Sequence, residues 1–134
     1  MNSELNLPAV EAIHTELLQM DSLITGLQSI TALIDLSGRL SAWLAFTGEQ
    51  MAAAKREWRA STRKAYESHV FSRVSQSLRI SPSMATDYAK AKSGDNEATY
   101  EFCERVHRTI THIIDLVRTV ISALKEEQKV FGRS

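Results

Sequence analysis

The chain has 134 residues, 43% hydrophobic and 24% charged, with 16 basic and 16 acidic side chains and a formal net charge of zero. That size and composition suit one soluble helical domain. They exclude a membrane span, which needs an apolar run of roughly 18 residues. The opening residues carry neither the basic nor the apolar region of a signal peptide. The single cysteine, Cys103, cannot form an intramolecular disulfide and points to a reducing, cytoplasmic setting. The zero total conceals blocks. Residues 1–50 hold six acids against one base, residues 51–79 hold seven bases against two acids, and residues 80–134 hold eight of each.

The first predicted element is a helix from about Pro8 to Leu36. Val10, Ile13, Leu17, Met20, Ile24 and Leu27 recur at steps of three and four, the seam of a coiled coil. Pro8 suits the first turn, where a missing N–H costs nothing. Gly26 inside this helix costs about 1 kcal/mol relative to alanine, which a close helix contact or a bend would explain. Ser37-Gly38 is the strongest stop signal before residue 80, yet the apolar period resumes at once with Leu40, Trp43 and Leu44. A straight rod through Gly38 would exceed about 100 Å.

The central helix follows, within residues 39–80, with a seam through Trp58, Ala65, Val70, Val74 and Leu78. That seam slips where Tyr66, Val70 and Phe71 compete for the inward face. Small residues are dense along it, which fits close packing in an antiparallel hairpin. The residue before Pro82 resists the α conformation, so the helix ends by Ile80. Ser81 then caps a short helix over 82–92, with Pro82 as its first residue. Ser93-Gly94-Asp95-Asn96 reads as a turn. The last helix spans about 96–130 on the steps Cys103, Val106, Ile110, Ile113, Val117, Ile121 and Leu124. Glutamates open it and lysines close it, as its dipole favours. The four segments, 1–37, 39–80, 82–92 and 96–130, make an all-α domain. It is a long antiparallel hairpin with a coiled-coil-like N-terminal helix and a short connecting helix.

No constellation of residues points to catalysis. His14, His69, His107 and His112 include no i,i+4 pair and none sits at a metal-ligand interval from Cys103. Cys103 falls on a core position with no basic neighbour to activate it. There is no glycine-rich phosphate loop. No cofactor and no enzymatic activity are therefore expected, although a helical bundle can hide a pocket between its helices. The basic run stands out instead. Lys55, Arg59 and Arg63 repeat at i,i+4, Arg56 and Lys64 flank them, Tyr66 continues the stripe, and Arg73 lies further along. Arginines grip phosphates and carboxylates in bidentate fashion, and aromatics stack on unpaired bases. These seven residues are candidates to bind nucleic acid or an acidic partner. The alternative is that they pair with Glu11, Glu16 or Asp21 of the acidic N-terminal helix.

Residues 40–130 carry a resemblance. The pattern Met51-Ala-Ala-Ala-Lys-Arg-Glu-Trp-Arg is followed by a serine-led short helix, Ser81-Pro-Ser-Met-Ala-Thr-Asp-Tyr-Ala-Lys-Ala. An aromatic-led helix then opens with Tyr100-Glu-Phe-Cys-Glu-Arg. This is similar to small helical-hairpin proteins encoded among the early or recombination genes of bacteriophages and prophages, in which a serine-led helix joins two long arms. Residues 1–37 have no counterpart. The resemblance supplies no catalytic residue. It implies a non-enzymatic accessory protein that contacts a host or phage protein of DNA processing or defence. Nucleic-acid binding by the basic helix is the second reading. The N-terminal seam adds the expectation of a homo-oligomer, dimer or tetramer, because a long two-helix hairpin rarely buries both faces alone.

Overall fold

The computed structural model describes residues 4–132. It contains four helices: α1 (Leu7–Gly26), α2 (Ile30–Ser75), α3 (Pro82–Lys92) and α4 (Gly94–Gly132), with no strand among the described residues. The all-α hairpin read from the sequence is the fold, with α2 and α4 as its arms.

The helix ends differ from the expected ones, each for a local reason. The first break falls after Gly26, not at Gly38. Leu27 is extended, with its N–H on the Ile24 carbonyl, and the Ser29 side chain accepts from the Ala32 N–H as the cap of α2. A weak helix former followed by a capping serine thus outcompetes Ser37-Gly38. Gly38 stays helical between the buried anchors Leu33 and Leu40. At the other end, α2 stops at Ser75 rather than running on toward Ile80. Ser77 adopts a left-handed φ of 54°. Its N–H bonds to the Val74 carbonyl and the Leu78 N–H to the Arg73 carbonyl, the pairing of a Schellman cap. Helix α3 begins as expected on Ser81 and Pro82. The expected turn over residues 93–96 shrinks to Ser93. Its N–H and hydroxyl both donate to the Ala89 carbonyl, while its own carbonyl accepts from Glu97. Gly94 already lies in α4.

Contacts divide the chain into two compact units. One comprises Asn6–Glu49 with Glu104–Ser134, the other Met1–Leu5 with Gln50–Cys103. The first, the aliphatic unit, packs α1, the first part of α2 and the second part of α4. Val10, Ile13, Leu17, Met20 and Ile24 of α1 are buried, with Leu33 and Leu40 of α2 and Val106, Ile110, Ile113, Ile114 and Val117 of α4. Each large aliphatic side chain contributes about 1.5–3 kcal/mol on burial. The seam read as an oligomer surface is therefore filled within a single chain at those five α1 positions. Leu27, at the helix break, is half-buried. The buried Thr47 hydroxyl lies 2.9 Å from His107 Nδ1, joining α2 to α4. Glu16 pairs with Arg39 at 3.4 Å, and the Arg39 guanidinium lies over the Trp43 ring.

The second, the alanine unit, packs the rest of α2, α3 and the start of α4. Its buried side chains are small: Ala53, Ala54, Ala85, Ala89, Ser93 and Cys103, with Gln50. Gln50 Nε2 donates to the Glu4 carbonyl at 3.0 Å. Alanine faces let helices approach closely. The Trp58 and Tyr100 rings stack with centroids 5.7 Å apart, which sets α2 antiparallel to the first turns of α4. Six residues beyond Trp58 on α2 correspond to six before Tyr100 on α4, where that helix begins. The last turns of α2 thus outrun α4 and have only the short α3 beside them. The predicted inward seam through Val74 and Leu78 fails for this reason: both are exposed, at 57% and 44%.

Candidate docking surface

The functional candidates of the sequence gather in the alanine unit. A groove of about 1030 Å³ lies between α2 and α3 and reaches the first turn of α4. Lys55, Arg59 and Arg63 line it from α2, one turn apart, and Lys90 lines it from α3. Trp58 and Tyr66 supply its aromatic wall, and Glu67 and Glu97 are its two acids. The groove therefore carries a cationic excess. Lys55 is half-buried, with its ammonium 5.6 Å from the Tyr100 ring centroid, a cation–π contact. Arg59 and Arg63 are exposed and, with Lys64, enter no ion pair among the described residues. Glu16 is taken by Arg39 instead.

The seven basic-run candidates thus separate. Lys55, Arg59, Arg63 and Tyr66 converge on the groove, whereas Arg56 and Lys64 are exposed and do not line it. Arg73 serves the backbone: its Nε and Nη2 both donate to the Arg79 carbonyl, at 3.0 and 2.8 Å. It ties down the turn after α2. Sequence reasoning missed the α3 side, Lys90 above all. Its signal was Ala85 and Ala89 at i,i+4, the spacing of a contact stripe, with Lys90 immediately beside it.

Beyond Tyr66 the same face of α2 turns apolar. Tyr66, Glu67, Val70, Phe71 and Val74 line a shallow second groove of about 340 Å³, and Tyr66 and Glu67 belong to both grooves. Phe71 is 75% exposed. Ile80 in the following turn and Met84 of α3 are also exposed, while Tyr88 of α3 meets the His69 ring at 4.9 Å. The sequence hinted at this where three residues competed for one inward face. The structure resolves that competition by leaving Tyr66 and Phe71 outside.

Among the described residues no three His, Cys, Asp or Glu side chains converge on a metal-sized site. Burial pushes the Cys103 thiol up, away from the thiolate that a nucleophile needs. No described helix is long and apolar enough to cross a membrane. No protein-family model, curated protein or solved structure matches the chain.

Proposed function

We propose that this is a non-enzymatic interaction protein, and that the α2–α3 face of the alanine unit is where it docks a partner protein. The observation that carries this reading is the apolar groove that Val70, Phe71 and Val74 line together, with Phe71 and Val74 exposed, on a unit whose own core is alanine. Single exposed apolar residues are ordinary, but a cluster of large ones marks an interaction site. Exposed aromatics beside arginines are what interface hot spots are made of. The resemblance to phage-encoded helical-hairpin proteins supports the same class and suggests a partner from DNA processing or defence. The lone cysteine supports a cytoplasmic location.

The test is capture from lysate with and without nuclease, using wild type and a Phe71→Asp, Val74→Asp variant. A defined protein that survives nuclease and is lost with the variant is the expected result. Capture that nuclease abolishes would make nucleic acid the ligand and the reading wrong.

A further inference from the structure

The docking strip changes character along its length, and that gradient specifies an occupant. Lys55, Arg59, Arg63, Tyr66, Val70 and Val74 follow one another at steps of four, four, three, four and four, which keeps them on one face of α2. The first three are cationic and, with Lys90, outnumber the two groove acids. The last two belong to the apolar groove. The strip is about 28 Å long at 1.5 Å per residue.

We propose that this strip binds one amphipathic helix of a partner protein, about 19 residues long by the same rise. The partner helix is acidic in the half that lies on Lys55, Arg59 and Arg63 and apolar in the half that lies on Val70, Phe71 and Val74. The inference rests on the docking reading and adds the partner's chemistry to it. A nucleic-acid strand would satisfy the cations but set phosphates against Val70, Phe71 and Val74, which offer no donor. A wholly apolar helix would cover Arg59 and Arg63 without a counter-charge, and desolvating an unpaired guanidinium is costly. A helix with both halves matches the whole strip, in the helix-in-groove manner.

A yeast-displayed library of helical 19-residue peptides, sorted against the full chain, reads this directly. Binders of wild type are expected to be rich in Asp and Glu in one half. The other half should carry Leu, Ile or Phe at i, i+3 or i+4, and i+7. Against an R59E/R63E variant the acidic half should turn basic while the apolar half persists, and wild-type binders should weaken roughly tenfold or more. Against F71D/V74D the apolar half should disappear and the acidic half remain. Circular dichroism and light scattering confirm that the variants keep their fold, since Arg59, Arg63, Phe71 and Val74 are all exposed.

Binders without acidic bias, or no binders at all, would overturn the inference. So would a dT20 oligonucleotide that binds wild type more tightly than the best peptide and is lost in R59E/R63E. A dimer dissolved by R59E/R63E would assign the strip to a second copy and overturn it as well. The two readings fail separately. Nuclease-resistant capture that Phe71→Asp, Val74→Asp abolishes, alongside peptides with no acidic bias, leaves the docking reading standing and removes only the partner's chemistry.

Discussion

The two units build their cores from apolar residues of different size. The aliphatic unit builds its core from large side chains: Leu17, Ile24, Leu33, Leu40 and Ile110 are all buried, and α1 contributes one every third or fourth residue, while Leu18, Leu23, Ile34, Val130 and Phe131 stay exposed. The alanine unit buries small side chains and leaves its large ones outside, Phe71, Val74, Ile80 and Met84 among them. Burying a methyl group gains far less than burying a leucine. The aliphatic unit therefore draws more stability from its core than the alanine unit does. Hydrogen exchange should reflect this, with slower exchange in 104–117 than in 66–92, because protection follows buried apolar contact.

The largest test of the comparison is a cavity in the aliphatic core. Ile110 is fully buried in the unit that this part of α4 forms with α1 and the first part of α2. Ile110→Ala should cost about 2–5 kcal/mol, read as a shift of the urea midpoint at constant slope. A cost below about 1 kcal/mol, the level of an ordinary surface change, would mean that the aliphatic core does not carry the fold.

The opposite substitution tests the alanine core. Ala54 is 1% exposed, and its helix faces α3 and α4 closely. Ala54→Leu should cost about 1–3 kcal/mol through overpacking, although leucine is nearly as good a helix former as alanine. A neutral or stabilising result, measured in the same urea titration, would show that this core has room and that its alanines are incidental.

Much of this was legible in the sequence because helical periodicity and capping chemistry are local. Ser81-Pro82 placed α3 correctly, and the α1 and α4 seams named most of the aliphatic core, although Ile121 and Leu124 are only half-buried and the buried Ile114 lies off the predicted steps. What misled was competition between equally local signals. Gly38 read as the stop signal and Gly26 only as a costly residue or a bend inside the helix, whereas the capping serine at position 29, together with the burial of Leu33 and Leu40, puts the break after Gly26. The seam of α2 past Trp58 could not be judged from α2 itself, since its exposure depends on where α4 begins. The same non-local fact hid the groove: Lys55, Arg59 and Arg63 are a run in sequence, but Lys90 joins them only because α3 folds back. Arg73 looked like one more base until its turn was seen, where the Arg79 carbonyl accepts from two of its N–H groups.

The cap that ends α2 offers a smaller test, and one of the opposite sign. Ser77 holds φ at 54°, a conformation that costs a non-glycine residue about 1–2 kcal/mol. Nothing about the turn requires a serine, since the bonds that close it are backbone N–H groups to Val74 and Arg73. Ser77→Gly should therefore stabilise the alanine unit, by about 0.5–1 kcal/mol after the entropy that glycine returns to the unfolded chain. The readout is slower exchange of the amides around residues 70–78. Destabilisation would mean that the left-handed geometry is not what closes α2.

The smallest expected effect on stability separates the two units most sharply. Phe71 is 75% exposed and Val74 57%, so Phe71→Ser with Val74→Ser removes little buried surface. Serine is about equal to phenylalanine and valine in helix propensity, all three being mediocre helix formers. The double variant should therefore unfold within about 0.5 kcal/mol of wild type, as surface substitutions do, and its solubility should rise as the apolar patch is lost. In the aliphatic unit the same kind of change at Leu17 and Ile24, which are buried, should unfold the protein outright, because each substitution empties the space of a large core side chain at a cost of about 2–5 kcal/mol. Equal urea midpoints for wild type and the double variant, with partner capture lost, are the expected pair of results. A clear fall in the midpoint would instead make Phe71 and Val74 part of a core, with no apolar surface left for a partner to cover.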